Sequence, residues 1–207
     1  MPSDATSVLE GARLAADLAC TGVPALDVAL GGGLRRGHVS EIVGDRSSGR
    51  TGVLHQTMRA ASVRDELIAL VDTSDRFDPH SASEAGVNLA HVLWIREAGD
   101  LPRAIKAMNL VLQAGGFGLV VLDLADVAAH LTRGLPFTTW FRLARVIEGS
   151  QTVALVMASE HLARSSGGST IALETPAGSS RAIWTGQSPR ARLLRGVELR
   201  ARVIGGN

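Results

Sequence analysis

The residues whose spacing most directly suggests chemistry are Gly44–Thr51, GDRSSGRT, which follow the pattern of a phosphate-binding loop, Gly-x4-Gly-Lys-Ser/Thr, with Arg50 in the lysine place. Such a loop works through its backbone: successive N–H groups form a concave nest and the next helix adds the positive end of its dipole. Glycines at its two ends allow the dihedrals and the close approach that phosphates require. Gly44, Asp45, Arg46, Ser47, Ser48, Gly49, Arg50 and Thr51 are therefore the candidate nucleotide-binding residues, with the Thr51 hydroxyl a candidate ligand for Mg²⁺. A second carboxylate, expected at the end of a neighbouring strand, is supplied by Asp123 of LVVLD.

Arg50 changes this chemistry. Lysine meets two phosphates as a compact point charge, whereas arginine brings a wide planar fork. The charge is kept and the geometry is not, so ATP and Mg²⁺ are candidate ligands while hydrolysis is expected to be weak or absent. The plain alternatives are a loop that only turns the chain from strand to helix and an aspartate that caps a turn.

The surrounding elements supply the context such a loop needs. HVSEIVG reads as a strand ahead of it, and a helix from near Arg50 to Val63 behind it. ELIALVD, HVLWIRE, FGLVVLDL and TVALVMAS read as further strands; residues 100–114 and 136–149 read as helices, and DPHSASEAG opens a short one that closes on Gly86. TGVPALDVALGGGLRRG breaks into a short helical turn and a loop. Strands alternating with helices imply an α/β fold with a mostly parallel central sheet and helices on both faces. STIALETP, RAIWTG and ARLLRGVELRARVIG read as antiparallel strands at one edge. Residues 4–19 read as an amphipathic helix, so residues 1–20 are assigned to an N-terminal helix or arm and 21–207 to the core domain.

Composition narrows the function classes. The chain has 207 residues, a formal net charge of +1 and 45% hydrophobic residues, which suits one α/β domain and supplies no global field for nucleic acid or membrane. Cys20 is the only cysteine, so an internal disulfide is excluded, and the six histidines lack metal-ligand spacing. No apolar run is long enough to span a bilayer, and a cytoplasmic protein is expected. Ser47 and Ser48 lack the elbow pattern of a serine hydrolase. Trp94 and Trp184 are expected as core or interface anchors.

Taken in order, these motifs resemble the RecA family of ATPases over roughly residues 20–160. The resemblance rests on TGVPALDVALGGGLRRGHVSEIVGDRSSGRT, on LIALVDTSDRFDP and on GLVVLD. It implies the RecA-like fold, ATP and Mg²⁺ as ligands, and Asp78 of the retained Asp-Pro pair as a nucleotide-site residue. The departures fall on chemistry: the water-activating glutamate slot holds Ser74, with Asp75 beside it as the one candidate catalytic residue; the base-stacking tyrosine slot holds Ser81; and the switch glutamine slot holds Ser159. Losing a general base costs about 10²–10⁴-fold in rate.

Within the family, ALDVALGGGLRRGHVSEIVG and AGVNLAHVLWIREAGDLPRAIKAMNLVLQAGGFGLVVL resemble the degenerate group that includes ImuA and the SulA division inhibitors. That resemblance implies an accessory protein of SOS-induced translesion synthesis, with an ImuB-type polymerase, an error-prone replicative-type polymerase and RecA as partners. It leaves as alternatives an active DNA-dependent ATPase and a division inhibitor acting on FtsZ. Arg181, Arg190, Arg192, Arg195, Arg200 and Arg202 are candidate DNA contacts, weighed against a solvated edge strand guarded by charge. SSGGST at 165–170 lacks the aromatic and basic residues of a strand-gripping loop and reads as a connector. The N-terminal helix is a candidate for self-association or for packing on RecA, against folding back on its own domain.

Overall fold

The computed structural model describes residues 17–163, 167–174, 182–185, 193–197 and 200–204, with the second and third last of these stretches described by backbone alone. Its centre is a seven-stranded sheet. Strand β1 (Leu18–Ala19) and strand β2 (Leu34–Arg35) flank helix α1 (Pro24–Ala29) and pair with each other. Strand β3 (Val39–Gly44) leads to helix α2 (Arg50–Val63), β4 (Ile68–Asp72) to α3 (Pro79–Glu84), and β5 (Val92–Arg96) to α4 (Leu101–Ala114). Strand β6 (Leu119–Asp123) is followed by α5 (Ala129–Thr132) and α6 (Phe137–Ile147), then β7 (Val153–Ala158) and β8 (Thr170–Leu173). Strands β9 (Ala182–Thr185) and β10 (Leu193–Val197) form a separate antiparallel pair, and β11 (Ala201–Ile204) returns to the main sheet.

The sheet order is β11-β8-β3-β7-β6-β4-β5, parallel throughout except for β11 against β8. The almost wholly apolar strands are explained by cover on both faces. Alternate side chains of β4 and β6 divide between two cores: Ile68, Leu70, Leu119 and Val121 pack with Val53, Leu54 and Met58 of α2, while Ala69, Val71, Val120 and Leu122 pack with Met108 of α4 and Trp140 and Leu143 of α6. This is the α/β architecture expected from the alternation of elements.

Two expectations are corrected. The segment STIALETP does not begin an antiparallel edge: β8 runs parallel to β3, inserted between it and β11, with Ile42 opposite Ile171. The direction of a short strand is set by its crossover and partner, which its own residues do not encode. The helix expected over 4–19 does not extend to its end, because Leu18 and Ala19 pair as strand with Arg35 and Leu34; residues 4–16 lie outside the described residues. Among the described residues no helix is long and apolar enough to cross a membrane.

Candidate functional site

The loop 44–51 forms the strand–loop–helix turn its sequence implies. Gly44 ends β3 against Leu173; a Cβ there would stand 2.6 Å from Ser48 Oγ and 2.9 Å from the Leu173 carbonyl oxygen. Ser47 and Gly49 take left-handed backbone with φ of 64° and 97°, and Gly49 is the N-cap of α2. The Ser48 N–H closes the turn on the Asp45 carbonyl at 3.2 Å. Ser48 is buried, and its hydroxyl has no hydrogen-bond partner among the described residues. A buried hydroxyl without a partner is costly and calls for an acceptor or donor from outside.

A cavity of about 1000 Å³ opens over this loop, lined by Arg46, Ser47, Gly49, Arg50, Thr51, Arg76 and Asp126 among others. A smaller one of about 150 Å³ shares Arg50, Thr51, Arg76 and Asp126 with it and reaches His55, Asp78, Ser81 and Asp123. The structure therefore brings together the loop, Thr51, Asp78 and Asp123. Asp45 is exposed, and Arg46 is exposed with only a long 3.4 Å contact to Asp126. Among the described residues no cluster of acidic, histidine or cysteine side chains is arranged to hold a metal ion by itself.

Arg50 is buried, and its guanidinium donates to the Ala125 carbonyl at 3.1 Å. The cation that replaces lysine thus ties α2 to the segment after β6. Asp123 sits opposite Asp72 in the parallel register, and its Oδ1 accepts the Ala125 N–H at 2.9 Å. Burial raises its pKa to about 6, aided by the charge of Asp72 and opposed by the Ala125 hydrogen bond and by Arg50. His55, on the buried side of α2, has its pKa lowered by burial against a smaller opposing pull from Asp78.

The loop after β4 is organised differently. Asp72 is buried and accepts from the backbone N–H groups of Arg76 and Phe77 and from Trp94 Nε1, at 3.0, 2.8 and 3.2 Å. Asp75 lines neither cavity. Its carboxylate is held by two hydrogen bonds of 2.6 Å from Arg96, whose bonding keeps it below the usual carboxylate range. Asp78 caps α3, accepting from the N–H groups of His80 and Ser81 and from the Ser81 hydroxyl, which lowers its pKa. Ser81, in the slot for a base-stacking ring, is thereby part of a helix cap.

Sequence reasoning missed Glu41. It lies mid-β3, fully buried, and accepts from His161 Nδ1, from the N–H groups of Leu162 and Ala163, and from Thr170 Oγ1. It binds the segment after β7 and the start of β8 to the strand that carries the phosphate loop. The signal was a charged residue inside the apolar run HVSEIVG. Among the candidate DNA contacts, Arg200 and Arg202 are exposed near β11, with Arg202 3.9 Å from Glu174. Arg195 falls in β10, where only backbone is described; Arg181, Arg190 and Arg192 lie outside the described residues.

Comparison with known proteins identifies the family and the fold. The RecA N-terminal domain family matches residues 6–134, more than half of the chain. The chain is 34% identical over 124 residues to Protein RecA of Chloroflexus aggregans, covering 59% of this chain and 34% of that one. It is 36% identical over 125 residues to Protein RecA of Blastochloris viridis, covering 59% and 35%. The matched stretch thus spans about a third of the length of these curated relatives. The crystal structure of the RadB recombinase superposes with a TM-score of 0.58 at 19% identity, over 75% of this chain and 82% of that one, which shows the shared fold.

Proposed function

The chain belongs to the RecA family, and we propose that it serves there as an adaptor of the ImuA type in SOS-induced translesion synthesis. In this reading it binds a polymerase partner, RecA or both, and its own ATPase is weak or absent. One observation carries the proposal: the strand–loop–helix turn is kept while nearby side chains of the site are bonded within the chain. Arg50 is tied to Ala125, Asp75 to Arg96, and Asp72 to the loop it terminates.

The loop fits a phosphate group as a binder. Its left-handed residues Ser47 and Gly49 line the cavity, with the partnerless Ser48 hydroxyl buried behind them beside Gly44. The N–H groups around Ser47–Arg50 would hold phosphates, and Thr51 with Asp123 would hold Mg²⁺. Bound there, Mg-ATP would supply a charged ligand that orders the loop and the surface around it.

Two measurements test this reading. Phosphate release by the purified chain, with and without single-stranded DNA, is expected to stay near background; brisk turnover lost in Asp123→Ala would replace the adaptor with a DNA-dependent ATPase. Co-purification with a polymerase subunit or RecA is expected, and recovery of neither counts against the assignment. A thermal shift with Mg-ATP separates a ligand-gated adaptor from a ligand-free scaffold, since binding at a hundredfold excess over Kd adds about 2.7 kcal/mol.

A further inference from the structure

On the face of the sheet opposite α2, helices α4 and α6 pack side by side and leave a groove of about 590 Å³ between them. Its apolar lining is Ile105, Leu143 and Val146; its charged lining is Lys106, Arg142 and Arg145, with no carboxylate. From Pro102 to Gln113 the α4 side follows helical spacing, a run of about 17 Å at 1.5 Å per residue, or roughly three turns. The groove lies away from the phosphate loop and shares no lining residue with the cavities there.

The charge pattern specifies the occupant. Arg36, Arg64, Arg96, Arg103 and Arg133 each meet a carboxylate, while among the described residues exposed Arg35, Arg59 and Arg76, outside the groove lining, form no salt bridge, so it is the clustering of three cations in one groove that matters. Among the described residues, Lys106, Arg142 and Arg145 form no salt bridge. In a chain of net charge +1, three such cations beside an apolar strip form a local potential that acidic groups would complement.

We propose that this groove receives an acidic amphipathic helix from a partner protein, with its apolar stripe on the half-buried Ile105 and Val146 and its carboxylates on Lys106, Arg142 and Arg145. The recognition mode is a helix in a groove, anchored at spacings of three and four residues. The inference goes beyond the adaptor reading and stands without it, because it names a partner's chemistry from the groove alone.

Lys106 is the only lysine of the chain, so it is a unique amine at the site. The test uses the full chain and two designed helical peptides of about 15 residues. Both carry leucine at helical spacing; one has flanking glutamates and the other flanking lysines. By fluorescence anisotropy the glutamate peptide is expected to bind at least about tenfold tighter, with the advantage shrinking as salt rises. Carbodiimide coupling followed by mass spectrometry is expected to join a peptide glutamate to Lys106. The double variant Arg142→Glu/Arg145→Glu, shown folded by circular dichroism, is expected to reverse the preference.

Equal binding of the two peptides, or glutamate-peptide binding unchanged in the double variant, overturns the proposal. Coupling of Lys106 to Asp4 or Glu10 of the same chain would assign the groove to the chain's own N-terminal residues. Dimerisation abolished by the double variant would assign it to a second copy. Either of those results also overturns the proposal.

Discussion

The loops after β3 and after β4 leave the same end of a parallel sheet, yet they are finished in opposite ways. The loop after β3 holds left-handed backbone at Ser47 and Gly49, both of which line a cavity, and leaves the buried Ser48 hydroxyl without a partner among the described residues. The loop after β4 closes on itself: Asp72 takes two backbone N–H groups and an indole N–H, and Asp75 is clamped by Arg96. Each loop keeps one buried hydroxyl without a partner among the described residues, Ser48 in the first and Thr73 in the second; what separates them is the left-handed backbone lining a cavity in the first and the bonded carboxylates of the second. In a RecA-family domain, the two loops thus differ in which polar groups are bonded within the chain.

The strongest way to break the contrast is to open the closed loop. Asp72→Ala removes the buried acceptor of three part-buried donors, each bond worth about 1 kcal/mol, so a loss of about 2–4 kcal/mol is expected from the urea midpoint. A loss below about 1 kcal/mol would mean that Asp72 is not the keystone of that loop.

Asp123 gives the next effect and a definite sign. Its folded pKa of about 6 lies above the unfolded value near 3.8, so the native state binds the extra proton. Stability from this group is therefore greatest below pH 4, falls as pH rises through about 6, and is flat above about 7. Allowing for screening by water at the cavity wall, the fall is on the order of 2 kcal/mol. Asp123→Asn is expected to flatten that slope in melts taken from pH 4 to 7.5 and to raise stability at pH 7.

Smaller effects separate the loops further. Ser48→Ala removes a buried hydroxyl without a partner, so the protein is expected to gain about 1 kcal/mol in its urea midpoint; a loss instead would show that the hydroxyl is satisfied. Asp75→Ala breaks an exposed ion pair, and no change is expected in phosphate release or in the cavity. A drop in turnover in Asp75→Ala would show that the clamp opens and that the second loop is reactive after all.

Much of this frame was legible in the chain. The helix expected from Arg50 to Val63 has those bounds, and the strands HVSEIVG and ELIALVD match β3 and β4 to within two residues, because periodicity and glycine positions are local signals. The loop 44–51 was legible for the same reason. The direction of β8 and the pairing of Leu18–Ala19 were not, since each depends on a partner strand.

The sequence by itself determined the order of elements, the two-sided apolar sheet and the place of a phosphate loop with arginine for lysine. Only the tertiary structure decided what each polar side chain does. Arg50 meets a carbonyl 75 residues away, Asp75 an arginine 21 away, and Glu41 a threonine 129 away. Backbone shape follows from neighbours along the chain. The partner of a buried charge is whatever the fold places beside it, because desolvation there penalises every alternative.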